Sequence, residues 1–343
     1  MSTITNLKTS LVAIMILLSG GMSFGQTAIE YFETIGTEYT AISEASWKYT
    51  QAASHNKSGR KINKRRKQLI KTNLAAQKTI KGLKAFNGSS AYKDSVLEYL
   101  SMSHSVMVND YAKIMDLEEI AEQSYDQMEA FLLAKKTASD KLSAASDMVG
   151  REQKRFCAGN NINLLEDNSE LGKKMEAAGL VYDYYNPVYL IFFKASVQES
   201  KMIIALSAKD INATEQSKQS MKVYAEEGLT KLAALKSFKG DNSLISACKQ
   251  MLTFYVNEAD KDMPVMIDFL LTSEKFTKYD KAFQSKKTRT QEDVDGYNEK
   301  VNELNKGSND YNNSNNKLNN KRGQLIDNWN NKVASFTDRH VPK

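Results

Sequence analysis

The chain is predicted to be all-α, built from two tandem duplicated helical-bundle units of about four helices each. Three observations predict this class. The 343 residues include only three prolines and are rich in Lys, Glu, Ala and Leu, without the polar and apolar alternation typical of strands. Residues 80–118 recur as residues 232–270, at a constant offset of 152. In both copies the apolar positions follow helical spacing.

The recurring segment is identified by its identities and by its apolar rhythm. Seven residues are identical between the copies: Leu83 and Leu235, Lys84 and Lys236, Phe86 and Phe238, Gly88 and Gly240, Leu100 and Leu252, Asp110 and Asp262, and Asp116 and Asp268. Six mostly apolar positions from Val96 to Ile114 are spaced 4, 3, 4, 4 and 3 residues apart, and six from Cys248 to Met266 repeat this spacing. Such spacing places the side chains on one face of a helix, so the duplicated object is a helical packing unit.

The first 25 residues are predicted to be a signal peptide. Lys8 supplies the positive charge, residues 11–18 form an apolar run, and the small residues Ser23 and Gly25 precede the expected cleavage before Gln26. A run of eight apolar residues is far shorter than the roughly 20 that span a bilayer as a helix, and no later stretch is long enough. We therefore expect an exported chain without a transmembrane span, located in the periplasm, on the cell surface or secreted.

The first unit is expected to cover residues 26–165. Its helices are predicted at about 28–53, 61–86, 90–120 and 120–156. Gly88 follows Phe86 and precedes two serines, a pattern typical of a glycine that ends one helix and a hydroxyl that caps the next. Gly240 and Asp241 stand at the matching places in the second copy, so the turn is expected to recur there.

The second unit is expected to cover residues 166–343, with a first helix at about 184–208 and a long Asn-rich helix at its end. In that last helix an apolar residue recurs every seven residues, as in a supercoiled or packed helix: Leu304, Tyr311, Leu318 and Leu325. Residues 305–331 also contain eleven asparagines, which are poor helix formers. This helix must therefore depend on packing, with fraying expected around Gly307, and a partly disordered Asn-rich tail is the alternative.

The chain has two cysteines, Cys157 and Cys248. An even number of cysteines in an exported chain favours a disulfide. However, Cys248 replaces the apolar Val96 on the helical stripe, where a cysteine commonly serves as a small buried apolar residue. A disulfide and two unpaired thiols both remain open at this point.

A strongly basic segment lies in the first copy alone. Between Glu44 and Asp94 there are thirteen lysines and arginines and no carboxylate, whereas residues 209–222 of the second copy include Asp210 and Glu215 and no such cluster. Candidate anion-binding residues are Arg60, Lys61, Lys64, Arg65, Arg66, Lys67 and Lys71. On a helix, four of them form a ridge of like charge, which repels itself unless an anion meets it.

The anions available outside the cytoplasm are lipid head groups, lipopolysaccharide phosphates and acidic glycans. The alternative is a solvated helix whose repulsion is relieved by acidic neighbours on another helix. Nucleic acid is not an expected partner, because export separates the protein from it and aromatic residues are sparse among the basic ones.

Enzyme and metal motifs are absent from the sequence. His55, His104 and His340 have no partner histidine at ligand spacing, and the cysteines are too far apart in sequence for a typical zinc site. No glycine-rich phosphate loop or nucleophile elbow occurs. We therefore predict no catalytic residue, cofactor or metal, although catalysis by residues distant in sequence stays open.

The second copy also carries a pattern that resembles a known family. It comprises Tyr185-Asn186, then Leu232-x-x-Leu235-x-x-Phe238-x-Gly240-Asp241-x-x-Leu244, Leu252-x-Phe254-Tyr255 and Pro264-x-Met266-Ile267-Asp268. This run resembles a family of exported, all-helical surface proteins of leptospires and Bacteroidota. The resemblance implies an envelope or surface location and a helical bundle, with no assigned activity. The first half departs from the pattern at Met102 and Ser103, where the Phe-Tyr pair would stand.

The favoured prediction is an exported, non-enzymatic envelope or surface protein that acts as a helical binding or scaffolding module. Its partner would be another protein or an anionic envelope component. The alternative is a membrane-active, pore-forming protein in which residues 187–193 leave the bundle. That apolar run is short and stops at Lys194, so burial in the core is the competing interpretation.

Overall fold

The structure, a computed structural model, describes residues 27–55, 58–110, 124–164 and 170–343. In these ranges the secondary structure is helical, and β pairing is limited to two isolated bridges. The predicted all-α class is confirmed. The predicted signal peptide, residues 1–25, and the predicted boundary between residues 165 and 166 lie outside the described residues.

The described residues form a series of α-helices of different lengths. In chain order they are α1 (Ala28–Ser54), α2 (Gly59–Gly82), α3 (Ala91–Ser105), α4 (Tyr125–Gly159), α5 (Glu170–Ser207), α6 (Ile211–Ala234), α7 (Ser243–Asn257), α8 (Met263–Ser285) and α9 (Gln291–His340). A π turn follows α3 at Val106–Asp110, and a second follows α7 at Glu258–Asp262. Helix α1 begins with a capping box in which Thr27 and Glu30 each accept the other's backbone N–H, which satisfies two donors at the helix start.

The duplication is reproduced in the helix boundaries. Helix α2, helix α3 and the first π turn are matched residue for residue by α6, α7 and the second π turn, all at the offset of 152 that the sequence predicts. The structural repeat begins at Gly59, about six helical turns before the sequence similarity is recognisable at residue 80. The helix is therefore retained over residues whose identities have diverged between the two copies.

Buried positions are shared between the copies even where residue types differ. Leu69 and Met221, Ile80 and Leu232, and Val96 and Cys248 are matched pairs whose members are all at most 3% exposed. Each member is apolar and removes a comparable side chain from water, which is the dominant favourable contribution to folding. The repeat is therefore a common pattern of burial, which is what the helical stripe in the sequence predicts.

A tight turn precedes α3, and its geometry recurs before α7. Phe86 and Ser89 exchange two backbone hydrogen bonds of 2.9 Å, and the two residues between them, Asn87 and Gly88, have φ of +49° and +78°. Two successive left-handed residues define a type I′ turn, which glycine adopts without steric cost. The expectation that Gly88 ends a helix is wrong, because α2 ends at Gly82 with Leu83 as its cap.

The described residues divide into two compact units, compatible with two tandem units. One contains the residues up to Asn186 together with Ala334–Lys343, and the other contains Pro187–Val333. This division lies within α5 and α9, whereas the sequence analysis placed the boundary in the joint between α4 and α5. The apolar pattern of a sequence predicts where helices lie. It does not predict the residue at which a long helix leaves one compact unit and enters the other.

Helix α9 runs without a break from Gln291 to His340. In the second unit it buries Leu318, Leu325 and Trp329, each at most 6% exposed. Gly307 does not fray the helix; a Cβ there would lie 3.2 Å from the ring of Phe269, so the glycine allows that ring to approach. The helix is packed, as the favoured prediction required.

The apolar run at residues 187–193 packs inside the second unit. Val188 is fully buried, and the ring of Phe192 stacks on Trp329 with 4.8 Å between ring centroids. Among the described helices, none has an apolar stretch sufficient to cross a bilayer.

Candidate functional site

The candidate anion-binding residues lie on the N-terminal half of α2. The buried face of this helix is formed by Leu69, Asn73, Ala76 and Ile80, which lie at i, i+4, i+7 and i+11. Because these positions form a single stripe, the basic side chains are left to the opposite face and to the two borders of the buried stripe. The structure divides the seven predicted residues into three groups.

The first group, here called the basic ridge, consists of Arg60, Lys64, Lys67 and Lys71. All four are exposed, and they follow one another at i, i+4, i+7 and i+11 along α2. No side chain of the ridge forms an ion pair within the described ranges. Like charges at these separations repel each other by a few tenths of a kcal/mol per pair, on the order of 0.2 to 0.5 kcal/mol.

The second group is Arg66 alone, which is half-buried. Its Nη1 donates a hydrogen bond to the carbonyl of Met107 at 3.1 Å, and its Nη2 donates to Asn63 at 3.4 Å. The bond to Met107 attaches α2 to the first π turn. Arg66 is therefore a structural residue of the first unit, because its guanidinium is engaged in hydrogen bonds within that unit.

The third group, Lys61 and Arg65, faces a cleft in the first unit with a volume of about 390 Å³. Here it is called the basic cleft. Its other lining residues are Lys48, Gln51, Ala52, His55, Asp338 and Lys343. The cleft thus joins the end of α1, the start of α2 and the last residues of the chain.

His55 connects the two sides of the basic cleft. Its Nδ1 lies 2.9 Å from a carboxylate oxygen of Asp338, and its Nε2 lies 3.2 Å from the carbonyl of Pro342. The His55 side chain is only 7% exposed. The hydrogen bond from His55, followed by the charge of Lys343 at 3.7 Å, lowers the pKa of the Asp338 carboxyl. Asp338 is therefore a carboxylate whose charge is already compensated.

Helix α6 is the counterpart of α2 in the second copy, and it lacks the cluster of basic residues. At the positions matching the seven basic residues it carries Asn212, Ala213, Gln216, Ser217, Lys218, Gln219 and Val223. The single basic residue, Lys218, matches the structural Arg66 and pairs with Glu215 at 2.6 Å. Since α6 has the same bounds as α2, the remaining six basic residues are not needed to form this helix.

Sequence reasoning found the ridge but not the cleft. His55 and Asp338 are 283 residues apart in the chain, and no spacing rule relates them. Metal-ligand spacing, the pattern by which the sequence analysis considers His55, carries no information about a residue that joins two distant chain segments. Among the described residues no group of three or more His, Cys, Asp or Glu side chains could hold a metal ion.

A second polar cluster, also missed by the sequence analysis, is buried in the second unit. Arg322 of α9 donates from Nε to Glu199 and from Nη2 to Glu258 at 2.6 Å. Glu199 is 3% exposed and Glu258 is fully buried. Burial, and then the neighbouring Glu199, raises the pKa of Glu258 to about 8. One arginine thus faces two carboxyl groups.

Both cysteines are buried and free in the structure. Cys157 belongs to the first unit and Cys248 to the second. Burial raises the pKa of the Cys157 thiol to about 11 and that of the Cys248 thiol to about 12. Since the thiolate is the reactive form, both side chains behave as small apolar residues at neutral pH.

Comparison with protein-family models, with curated proteins and with solved structures finds no match to this chain. Its function is therefore inferred from the geometry of the chain's own residues.

Proposed function

We propose that the protein is an exported, non-enzymatic module of the cell envelope or cell surface that binds anionic envelope components through the basic ridge. One observation carries this proposal: of two helices with matched bounds, only α2 has an exposed row of basic side chains without acidic partners in the described structure. The row costs repulsion and serves no packing role. Binding an anion is the simplest function that compensates for it.

The expected affinity is modest and sensitive to salt. A lysine or arginine near an anionic membrane surface contributes about 1 kcal/mol, so four side chains acting together would contribute on the order of 4 kcal/mol. Screening acts over about 8 to 10 Å at physiological ionic strength, so high salt should remove most of this attraction. The partner must itself be multivalent, as are lipid surfaces, lipopolysaccharide and acidic glycans.

The helical architecture is compatible with binding at a surface. The residues that a pore-forming mechanism would release, 187–193, contribute to the core of the second unit, and exposing Val188 or Phe192 would sacrifice that burial. We therefore propose electrostatic association without insertion.

The test is co-sedimentation with anionic and with zwitterionic vesicles at low and high salt. The ridge variant carries Arg60→Asn, Lys64→Gln and Lys67→Gln, which are the residues that α6 has at the matching positions. A control variant removes three exposed charges from α8 by Lys275→Gln, Lys278→Gln and Lys281→Gln. Both variants lower the net charge equally, so only the position of the charge differs between them.

We expect the wild type and the control variant to sediment with anionic vesicles at low salt and the ridge variant to remain in the supernatant. Equal losses for the two variants would mean that only net charge matters, and the ridge would not be a site. Release of a vesicle-entrapped dye by the wild type would instead favour the membrane-active alternative.

A further inference from the structure

We propose that the basic cleft is a second anion site, specific for a phosphate monoester, and that it acts independently of the basic ridge. The two sites share helix α2 but no side chain. The ridge is an open row suited to a multivalent surface, whereas the cleft is a concave space suited to a single small group.

Positive charge dominates the lining of the cleft. Lys48, Lys61, Arg65 and Lys343 contribute four cationic side chains. Lys48 lies 3.5 Å from Glu44, whereas Lys61 and Arg65 form no ion pair with the described residues. The carboxylate among the described lining residues, Asp338, already receives the hydrogen bond of His55 and the charge of Lys343. Lys61 and Arg65 are therefore two cations of the cleft that an anion could bind without displacing a described ion pair.

The start of α2 adds to this potential. The cap residue, Ser58, makes no side-chain capping hydrogen bond, and the first turn contains no acidic residue. The partial positive charge of the helix start is thus not neutralised by the usual acidic side chains, and Lys61 of this first turn lines the cleft. The helix start and the cationic side chains both favour a negatively charged ligand.

Size and polarity indicate the kind of anion. At about 390 Å³ the cleft lies near the lower end of the range for ligand sites, which is about 300 to 1,000 Å³. Among the described residues that line it, Ala52 is the only apolar one, so the lining favours a polar head group over an acyl chain. The planar guanidinium of Arg65 can donate two parallel hydrogen bonds to phosphate oxygens. A monoester, with two negative charges, matches Arg65 and Lys61 together better than a singly charged diester does.

His55 serves the cleft as a positioning residue. By holding Asp338 and the carbonyl of Pro342, it fixes the last residues of the chain against α1. Lys343 is thereby kept at the rim of the basic cleft, and the carboxylate of Asp338 stays hydrogen-bonded to His55. We place no direct contact between His55 and the ligand.

The experiment is calorimetric titration of the purified protein with glycerol 3-phosphate, a monoester, and with dimethyl phosphate, a diester. The cleft variant carries Lys61→Ala and Arg65→Ser, which α6 already has at these positions as Ala213 and Ser217. The ridge variant described above is the matched control, and circular dichroism confirms that both fold. Short-chain phosphatidic acid presents the same monoester on a lipid.

We expect saturable binding of glycerol 3-phosphate by the wild type and the ridge variant, and at least about tenfold weaker binding by the cleft variant, which loses two charge-assisted contacts. Dimethyl phosphate should bind more weakly. Tighter binding of phosphatidic acid would indicate a lipid source, and equal binding would indicate a soluble one; both support the site.

The proposal would be overturned by no saturation with the wild type, by unchanged binding in the cleft variant, or by equal binding of the diester. A ridge variant as weak as the cleft variant would also overturn it, because the two sites would then be one basic face. Loss of vesicle binding in the ridge variant does not bear on the cleft, so the two proposals fail separately.

Discussion

At the scale of single residues, the matched positions at which the two copies differ are the informative ones. Glu258 is fully buried in the second copy at the position where the first copy buries Val106. The glutamate is held by Arg322, which also binds Glu199. Replacing one partner of such a buried group is costly because a charge is left uncompensated, whereas the whole group can often be replaced by apolar residues at little cost.

The buried glutamate predicts a pH dependence of stability. The folded-state pKa of Glu258, about 8, lies above its ordinary value of 4.5, so the folded protein keeps a proton that the unfolded chain releases between these values. The contribution of Glu258 to the free energy of unfolding should therefore fall as pH rises from about 4.5 to about 8 and then level off. Glu258→Gln should remove this slope in urea unfolding, whereas Glu299→Gln, at an exposed position, should keep it. Parallel curves for the wild type and Glu258→Gln would contradict the assignment.

The cysteines give a prediction that separates the two alternatives left open by the sequence. Both thiols are buried, with raised pKa values, so neither should react with a thiol reagent in the native protein at pH 8. In urea without reductant, two thiols per chain should react if Cys157 and Cys248 are unpaired. No reactive thiol in urea would show that the protein carries a disulfide.

At the scale of elements, the apolar rhythm was sufficient to predict the helices and their duplication, but not their ends. The stripe from Val96 to Ser103 predicts one face of α3, since helical spacing is a local property. The end of α2 was predicted near Phe86 and lies at Gly82, because the residues up to Phe86 leave the helix to reach the type I′ turn. A glycine after an apolar residue fits a helix end and such a turn equally well, so the sequence could not distinguish them.

The turn geometry predicts opposite effects for two kinds of glycine. Gly88 and Gly240 have φ of +78° and +84°, so Gly88→Ala or Gly240→Ala should each lower the free energy of unfolding by about 1 kcal/mol. Gly150 lies within α4, and a Cβ there would meet nothing within 4 Å. Gly150→Ala should therefore raise the free energy of unfolding by up to about 1 kcal/mol. Equal effects in urea unfolding would contradict the assigned turn.

At the scale of the whole molecule, the sequence predicts a candidate site only where its residues lie close together along the chain. The basic ridge is a repeating pattern on one helix, so spacing alone revealed it. The basic cleft needs α1, α2 and the last residues of the chain together, and Arg66 turns inward because a π turn offers it a carbonyl. Long-range proximity of this kind is decided by tertiary packing, which a single helical pattern does not encode.

We propose that the basic ridge serves binding and not the fold. The decisive measurement is urea unfolding of the wild type and the ridge variant at low salt, with and without dextran sulfate. Without the polyanion, the variant should be at least as stable as the wild type, because like-charge repulsion is removed. With it, the wild type should gain more stability than the variant, because a ligand of the folded state raises the free energy of unfolding. A variant less stable than the wild type, with an equal gain for both proteins, would contradict the claim.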